Sequence, residues 1–128
     1  YTRVGVSPDG SSTYFLPRLV GAAKAKRLIF MNDILTAAEA FDWGLVTEVV
    51  PDDKLMERTL EVAHELAAGP TMAYGEAKRL ITDTFSNTLE TQMELETRAI
   101  CGLATHTEDA KAGIHGFAKK EKFTFCGR

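Results

Sequence analysis

Asp9 is the acid whose surroundings best equip it for chemistry. It lies in Gly5-Val6-Ser7-Pro8-Asp9-Gly10-Ser11-Ser12-Thr13, which runs straight into the mostly apolar Tyr14-Phe15-Leu16-Pro17-Arg18-Leu19-Val20-Gly21. A turn followed by a helix can aim a carboxylate into a pocket while the helix anchors it. A carboxylate held that way can take a proton from one atom and return it to another. Asp9 could equally serve only the turn, as an Asx-turn or helix-capping side chain. The turn begins a few residues into the chain, so the pocket is expected to be built largely by residues outside this sequence.

The other reactive side chains form no constellation. His64, His106 and His115 share no motif and read as helix-surface or cap residues. Cys101 and Cys126 belong to no pair of CxxC motifs, so no metal site is expected. The cysteines read as reduced thiols of a cytoplasmic protein, with one disulfide as the alternative. Net charge is −3 over 128 residues, with 45% hydrophobic and 26% charged residues. The cations interleave with anions, except at Lys119-Lys120-Glu121-Lys122, so no basic field for nucleic acid is expected. No apolar run approaches the roughly 20 residues that span a bilayer, and no membrane partner is expected. Tyr1-Thr2-Arg3-Val4-Gly5 is not a signal peptide, and without an initiating Met the chain reads as a fragment or a processed product.

The elements that must position Asp9 are mostly helices. Ser11 or Ser12 is placed to cap the first, Gly21 to close it, and a short helix follows over Ala22 to Phe30. Thr36-Ala37-Ala38-Glu39 is a capping box for a helix that Gly44 ends. Leu45 to Val50 is β-branched and stops at Pro51, which predicts a strand with Thr2 to Val6 as its one local partner candidate. Apolar positions at Leu55, Met56, Val62, Ala63, Leu66 and Ala67 follow the 3.6-residue helical period. Gly69-Pro70 separates that helix from one through Met72, Ala77, Leu80 and Ile81. Asn87 to Glu90 predicts a second capping box before a helix through Leu103, and Thr107 caps the last helix, through Phe117.

Taken in order, these residues resemble the enoyl-CoA hydratase/isomerase (crotonase) superfamily. The similarity is carried by Gly5-x-x-Pro8-Asp9-x-x-x-Thr13 with Leu16-Pro17-Arg18-Leu19-Val20-Gly21, and by Leu35-Thr36-Ala37-x-Glu39-Ala40-x-x-x-Gly44-Leu45-Val46-x-x-Val49-Val50-Pro51. It continues through Leu66-Ala67-x-Gly69-Pro70-Thr71, Lys78, Leu89 to Glu96, and Glu108-Asp109-Ala110-x-x-Gly113-Ile114-x-x-Phe117. The pattern is similar to the phenylacetate-pathway type of isomerase, and it spans the later half of the family's length.

The resemblance implies a mainly α chain of six or seven helices with one or two short strands. It would be the C-terminal portion of an α/β ββα-spiral fold, residues 1–50 forming the last spiral turn and 51–128 a helical trimerisation region. It implies an acyl-CoA substrate and no other cofactor. Two backbone N–H groups would stabilise an enolate, at ~3–4 kcal/mol each, while carboxylates move the proton. The hydratases carry a glutamate eight residues before the position of Asp9, and here that residue is Tyr1. An acid at Asp9 resembles the isomerases instead. Phe117 and Lys120 match positions that contribute to the CoA site, and the assembly would be a homo-trimer or hexamer. Ser11-Ser12 departs from the Gly-Gly that the family commonly has there. The alternatives are a hydratase or dehydratase, and a non-catalytic oligomerisation or binding module.

Overall fold

The computed structural model describes residues 1–128 and divides into two compact units, Tyr1–Lys54 and Leu55–Arg128. The first opens with a 3-10 turn at Thr2–Val4, followed by the loop that carries Asp9 and by helix α1, Ser12–Met31. Gly21 interrupts α1 with φ 80° and ψ 157°, a conformation open to glycine and costly to other residues. The helix thus bends where the sequence predicts its end, and its second half runs on to a left-handed Asn32. Thr2 ties the chain start to that end, its hydroxyl donating to the Ile29 carbonyl at 2.6 Å. Arg3 donates to the Asn32 carbonyl at 3.0 Å.

Helix α2, Ala37–Asp42, starts from the predicted capping box. The Glu39 N–H donates to the Thr36 hydroxyl at 3.2 Å, and the Thr36 N–H donates to the Glu39 carboxylate at 2.8 Å. Those donors hold the Glu39 carboxyl below its usual range, the backbone N–H first and the hydroxyl second. At its other end Gly44 donates to Phe41 and Leu45 to Ala40, each at 2.9 Å, the paired bonds of a Schellman stop.

The strand expected over Leu45 to Val50 does not form, and the chain contains no strand. A strand needs a neighbour for its N–H and C=O groups. Its one local candidate, Thr2 to Val6, is taken up by the 3-10 turn. A second 3-10 turn, Asp52–Lys54, ends this unit.

The second unit holds α3, Leu55–Ala67; α4, Thr71–Asp83; α5, Leu89–His106; and α6, Glu108–Lys119. Helix α5 packs against both α4 and α6. Pro70, expected at the first helical position, is instead the N-cap of α4, one residue before its first helical residue Thr71. The predicted Asn87 capping box is corrected by one residue, because Thr88 is the cap and accepts from the Thr91 N–H at 3.3 Å. Asn87 instead donates to the Gln92 side chain at 3.0 Å, and Gln92 donates to the Leu80 carbonyl at 3.1 Å, which fixes the α4–α5 turn.

The segment after α6 doubles back along that helix. A left-handed Lys120 reverses the chain, and Glu121 donates to the Gly116 carbonyl at 2.9 Å. Phe123 and Phe125 meet edge to face, 5.2 Å between ring centres. Phe123 lies so close to Gly116 that any Cβ there would fall 2.2 Å from its ring. The amides of Cys126 and Gly127 then donate to Asp109 at 2.6 and 2.9 Å, while Glu108 and Asp109 donate to the Arg128 carbonyl at 2.8 and 3.0 Å.

Neither unit has a deep apolar core. Ala25 is the one buried apolar side chain of the first, and Ile34 is 87% exposed. In the second, Leu89 and Phe117 are 71% and 84% exposed. Exposed apolar surface on this scale marks surface made to be covered by other protein.

Candidate active site

The residues around Asp9 are held from the backbone outward. The Asp9 carbonyl accepts from the Ser12 N–H at 3.2 Å and from the Ser12 hydroxyl at 2.8 Å, closing a tight turn. Gly10 and Ser11 cross that turn with φ of 61° and 62°. Ser11 caps α1 in this left-handed state without a side-chain bond to the helix, so neither predicted serine caps by its hydroxyl. The turn leaves Asp9 exposed.

Tyr1 belongs to the same unit as Asp9. Its phenol is held above its ordinary value, chiefly by hydrogen bonding to Asp9, then by the Asp9 charge, and last by burial. The phenol therefore keeps its proton at neutral pH and remains a donor. Tyr1, Pro8 and Ser12 also wall a hollow of about 240 Å³ with Leu16, Leu28 and Ile29. The loop offers one exposed carboxylate, flanked in sequence by Pro8 and Ser12, which help wall the hollow. It can exchange a single proton with a bound carbon acid.

Phe117 and Lys120 come together elsewhere, at the end of α6. Phe117 stands in the last turn, and the Lys120 N–H donates to its carbonyl at 3.3 Å. Lys120 is exposed, and its ammonium complements the negative end of the helix. Both residues belong to the unit Leu55–Arg128, whereas Asp9 belongs to Tyr1–Lys54.

Asp109 is a second acid with a defined setting. It is 3% exposed, and its carboxyl lies below the usual range. The Cys126 N–H is the largest cause, burial opposes it, and the Gly127 N–H and Arg128 charge add to the lowering. The same carboxylate pushes the Cys126 thiol up, which makes that cysteine a poor nucleophile. No local sequence signal announces this cluster, because its partners lie 17 and 18 residues away.

The enoyl-CoA hydratase/isomerase family pattern matches residues 1–128. The chain belongs to the enoyl-CoA hydratase/isomerase family. It is 34% identical over 128 residues to the 1,2-epoxyphenylacetyl-CoA isomerase of Escherichia coli, covering 100% of this chain and 48% of that protein. It is 31% identical over 125 residues to the crotonyl-CoA hydratase of Syntrophomonas wolfei, covering 98% and 48%. The enoyl-CoA hydratase structure from Bacillus anthracis superposes with a TM-score of 0.88 at 33% identity, over 99% of this chain and 49% of that one. The chain thus spans about half the length of each of these three.

Within this family the Ser11 geometry gains a meaning. The backbone there takes the left-handed conformation that glycine adopts freely and other residues adopt at a cost. That backbone favours glycine at Ser11, whereas Ser12, the first residue of α1, is not left-handed and gives glycine no such advantage.

Proposed function

We propose that the protein carrying this chain is an acyl-CoA enzyme of the isomerase type, with Asp9 as the proton carrier. The Asp9 carboxylate takes a proton from the carbon next to the thioester carbonyl. The electron pair of that C–H bond moves onto the carbonyl oxygen, giving an enolate. The protonated Asp9 then returns the proton to another carbon of the same acyl group, and the double bond shifts. Oxyanion donors come from other parts of the protein. The reaction needs no metal and no redox cofactor, because the thioester supplies the acidity. Lys120 serves as a point charge for a CoA phosphate and Phe117 as an apolar contact. The exposed apolar faces of the helical unit support assembly as a trimer or hexamer, and the two free thiols suit the cytoplasm.

The observation that carries this reading is an acid, Asp9, left exposed on a tight turn, with a tyrosine where a second acid would stand. Where the resemblance leads one to look for a hydratase glutamate, this chain has Tyr1, a phenol that is neutral at pH 7 and supplies no second carboxylate. One carboxylate suffices to move a proton between two carbons, whereas adding water calls for a second positioned acid. Likeness to a named isomerase agrees with this. The comparable likeness to a crotonyl-CoA hydratase favours water addition as the second reading, its acids supplied from elsewhere in the protein.

Product analysis on the complete protein separates the two. A shifted double bond is the expected product, and a 3-hydroxyacyl-CoA would overturn the isomerase reading. Asp9→Asn should lower turnover roughly 10²- to 10⁴-fold while leaving thioester binding in place. Full turnover in that variant would remove Asp9 from the chemistry.

A further inference from the structure

We propose that Glu121–Arg128 is a latched strap. It opens as one unit about Lys120 when the Asp109 latch lets go, and in opening it removes one wall of an apolar hollow between α4, α5 and α6. This holds whichever reaction the protein catalyses.

The strap's polar bonds sit at its two ends. At the hinge, Glu121 donates to the Gly116 carbonyl at 2.9 Å, beside a Lys120 at φ 57°, a conformation that a residue with a Cβ adopts at a cost. At the latch, the Asp109 carboxylate accepts from the Cys126 and Gly127 amides at 2.6 and 2.9 Å. The Arg128 carbonyl accepts from the Glu108 and Asp109 amides at 2.8 and 3.0 Å, and the Arg128 side chain pairs with Glu108 at 3.1 Å. Between these ends, Lys122 to Phe125 make no backbone hydrogen bond. They rest on two rings laid over glycine, and a Cβ on Gly113 would meet Phe125 and Phe123 at 3.6 and 3.7 Å. With no polar bond along its middle, the segment has no stable half-open form, so it opens from latch to hinge together.

Phe125 joins Met72 and Ala73 of α4, Leu103 of α5 and Ala110 of α6 around a hollow of about 330 Å³. The strap also reaches the first residue of α4, since a Cβ on Gly127 would lie 3.1 Å from the Thr71 hydroxyl. The polar groups at the rim are already bonded. The Thr107 hydroxyl donates to the Leu103 carbonyl at 2.8 Å and accepts from the Ala110 amide at 3.1 Å, while Asp109 holds the strap. Opening therefore widens access to an apolar space and frees the buried carboxylate at its edge.

Native-state hydrogen exchange on the complete protein tests the hinge. The amides of Glu108, Asp109, Glu121, Cys126 and Gly127 should share one opening, with protection within about threefold of one another and roughly 10-fold or more below that of mid-α6 amides. Cys126 and Gly127 exchanging far ahead of Glu121 would mean simple fraying and overturn the strap. Protection equal to that of α6 would overturn it as well. Asp109→Asn breaks the latch and leaves both rings in place. It should cut protection at Glu121 roughly 10-fold and raise the relaxation of the Leu103 and Ala110 methyls by the neutral nitroxide TEMPOL about twofold. A Glu121 that keeps its protection in that variant would show hinge and latch uncoupled, and unchanged methyl relaxation with an open strap would show that Phe125 closes nothing. Either result refutes the proposal, and the wild-type exchange decides the hinge even where the variant fails to fold.

Discussion

Asp9 stands exposed on a turn, whereas Asp109 is 3% exposed and each of its carboxylate oxygens accepts from an amide, of Cys126 or Gly127. A carboxylate can act as a base only with a lone pair left for the incoming proton, and with access to it. Asp109 lacks the access, with one lone pair of each oxygen already accepting an N–H, and its lowered value makes it a weaker base still. Its oxygens are committed to folding the final segment onto α6. Asp9 contributes little to folding and keeps its acceptor capacity for something else. Satisfaction of hydrogen bonds, not residue type, separates the structural acid from the chemical one.

The largest effects come from exchanging the treatment of the two acids. Asp9→Asn should cost the roughly 10²- to 10⁴-fold in turnover expected of a lost proton carrier, with an unchanged melting temperature. Asp109→Asn should do the reverse. One acceptor oxygen becomes an NH₂ group facing a backbone N–H, so the final segment detaches and the Tm falls by several degrees, while the chemistry at Asp9 survives once the variant is folded. If both variants lost only stability, the division between the two acids would be gone.

Acid titration sharpens the contrast. The folded value of Asp109 lies below its unfolded one, so the stabilisation it provides is complete above the ordinary aspartate value of about 3.9 and is lost as pH falls through the lower folded value. Amide exchange at Cys126 and Gly127, measured relative to an unfolded chain at the same pH, should therefore stay slow from neutral pH down to about 4 and become faster below it. In Asp109→Asn it should be fast throughout. Fast exchange in the wild type at neutral pH would contradict the clamp.

A smaller effect separates two glycines of the same unit. A Cβ on Gly116 would lie 2.2 Å from the Phe123 ring, and one on Gly102 would meet nothing within 4 Å. Alanine gains ~1 kcal/mol over glycine inside a helix, and overpacking costs ~1–3 kcal/mol. Gly102→Ala should therefore raise stability by about 1 kcal/mol. Gly116→Ala should lower it by a comparable amount, because displacing the Phe123 ring outweighs the helix gain. Equal stabilisation by both would show that Phe123 moves aside freely.

Local chemistry made much of the fold legible. Thr36 and Glu39 bond each other across three residues, Gly44 stops its helix through two short bonds, and Thr107 caps α6, all within one turn of chain. Partnership over distance was not legible in the same way. The strand at Leu45 to Val50 was read from β-branching, but a strand exists only where another pairs with it, and none is in this chain. The Asp109 clamp joins residues 17 to 19 positions apart through backbone amides, which carry no side-chain signature. Asp9 was legible because turn formers surround it. The 3-10 turn at Thr2–Val4 was not announced by the apolar pattern.

The smallest effect tests whether the turn itself, rather than Asp9 alone, is specialised. Ser11 sits at φ 62°, where a residue with a Cβ is strained by ~1–2 kcal/mol. Replacing it by glycine removes that strain but adds ~0.5–1 kcal/mol of unfolded-chain entropy. The net gain for Ser11→Gly should thus be about 0.5–1 kcal/mol, read from denaturant midpoints. Turnover should change by less than about twofold, since the glycine follows the same backbone path and the Ser12 bonds to the Asp9 carbonyl persist. A stabilised variant with sharply reduced turnover would mean that the serine holds the turn stiff for Asp9. The contrast with Asp109 would then extend from the acid to its whole loop.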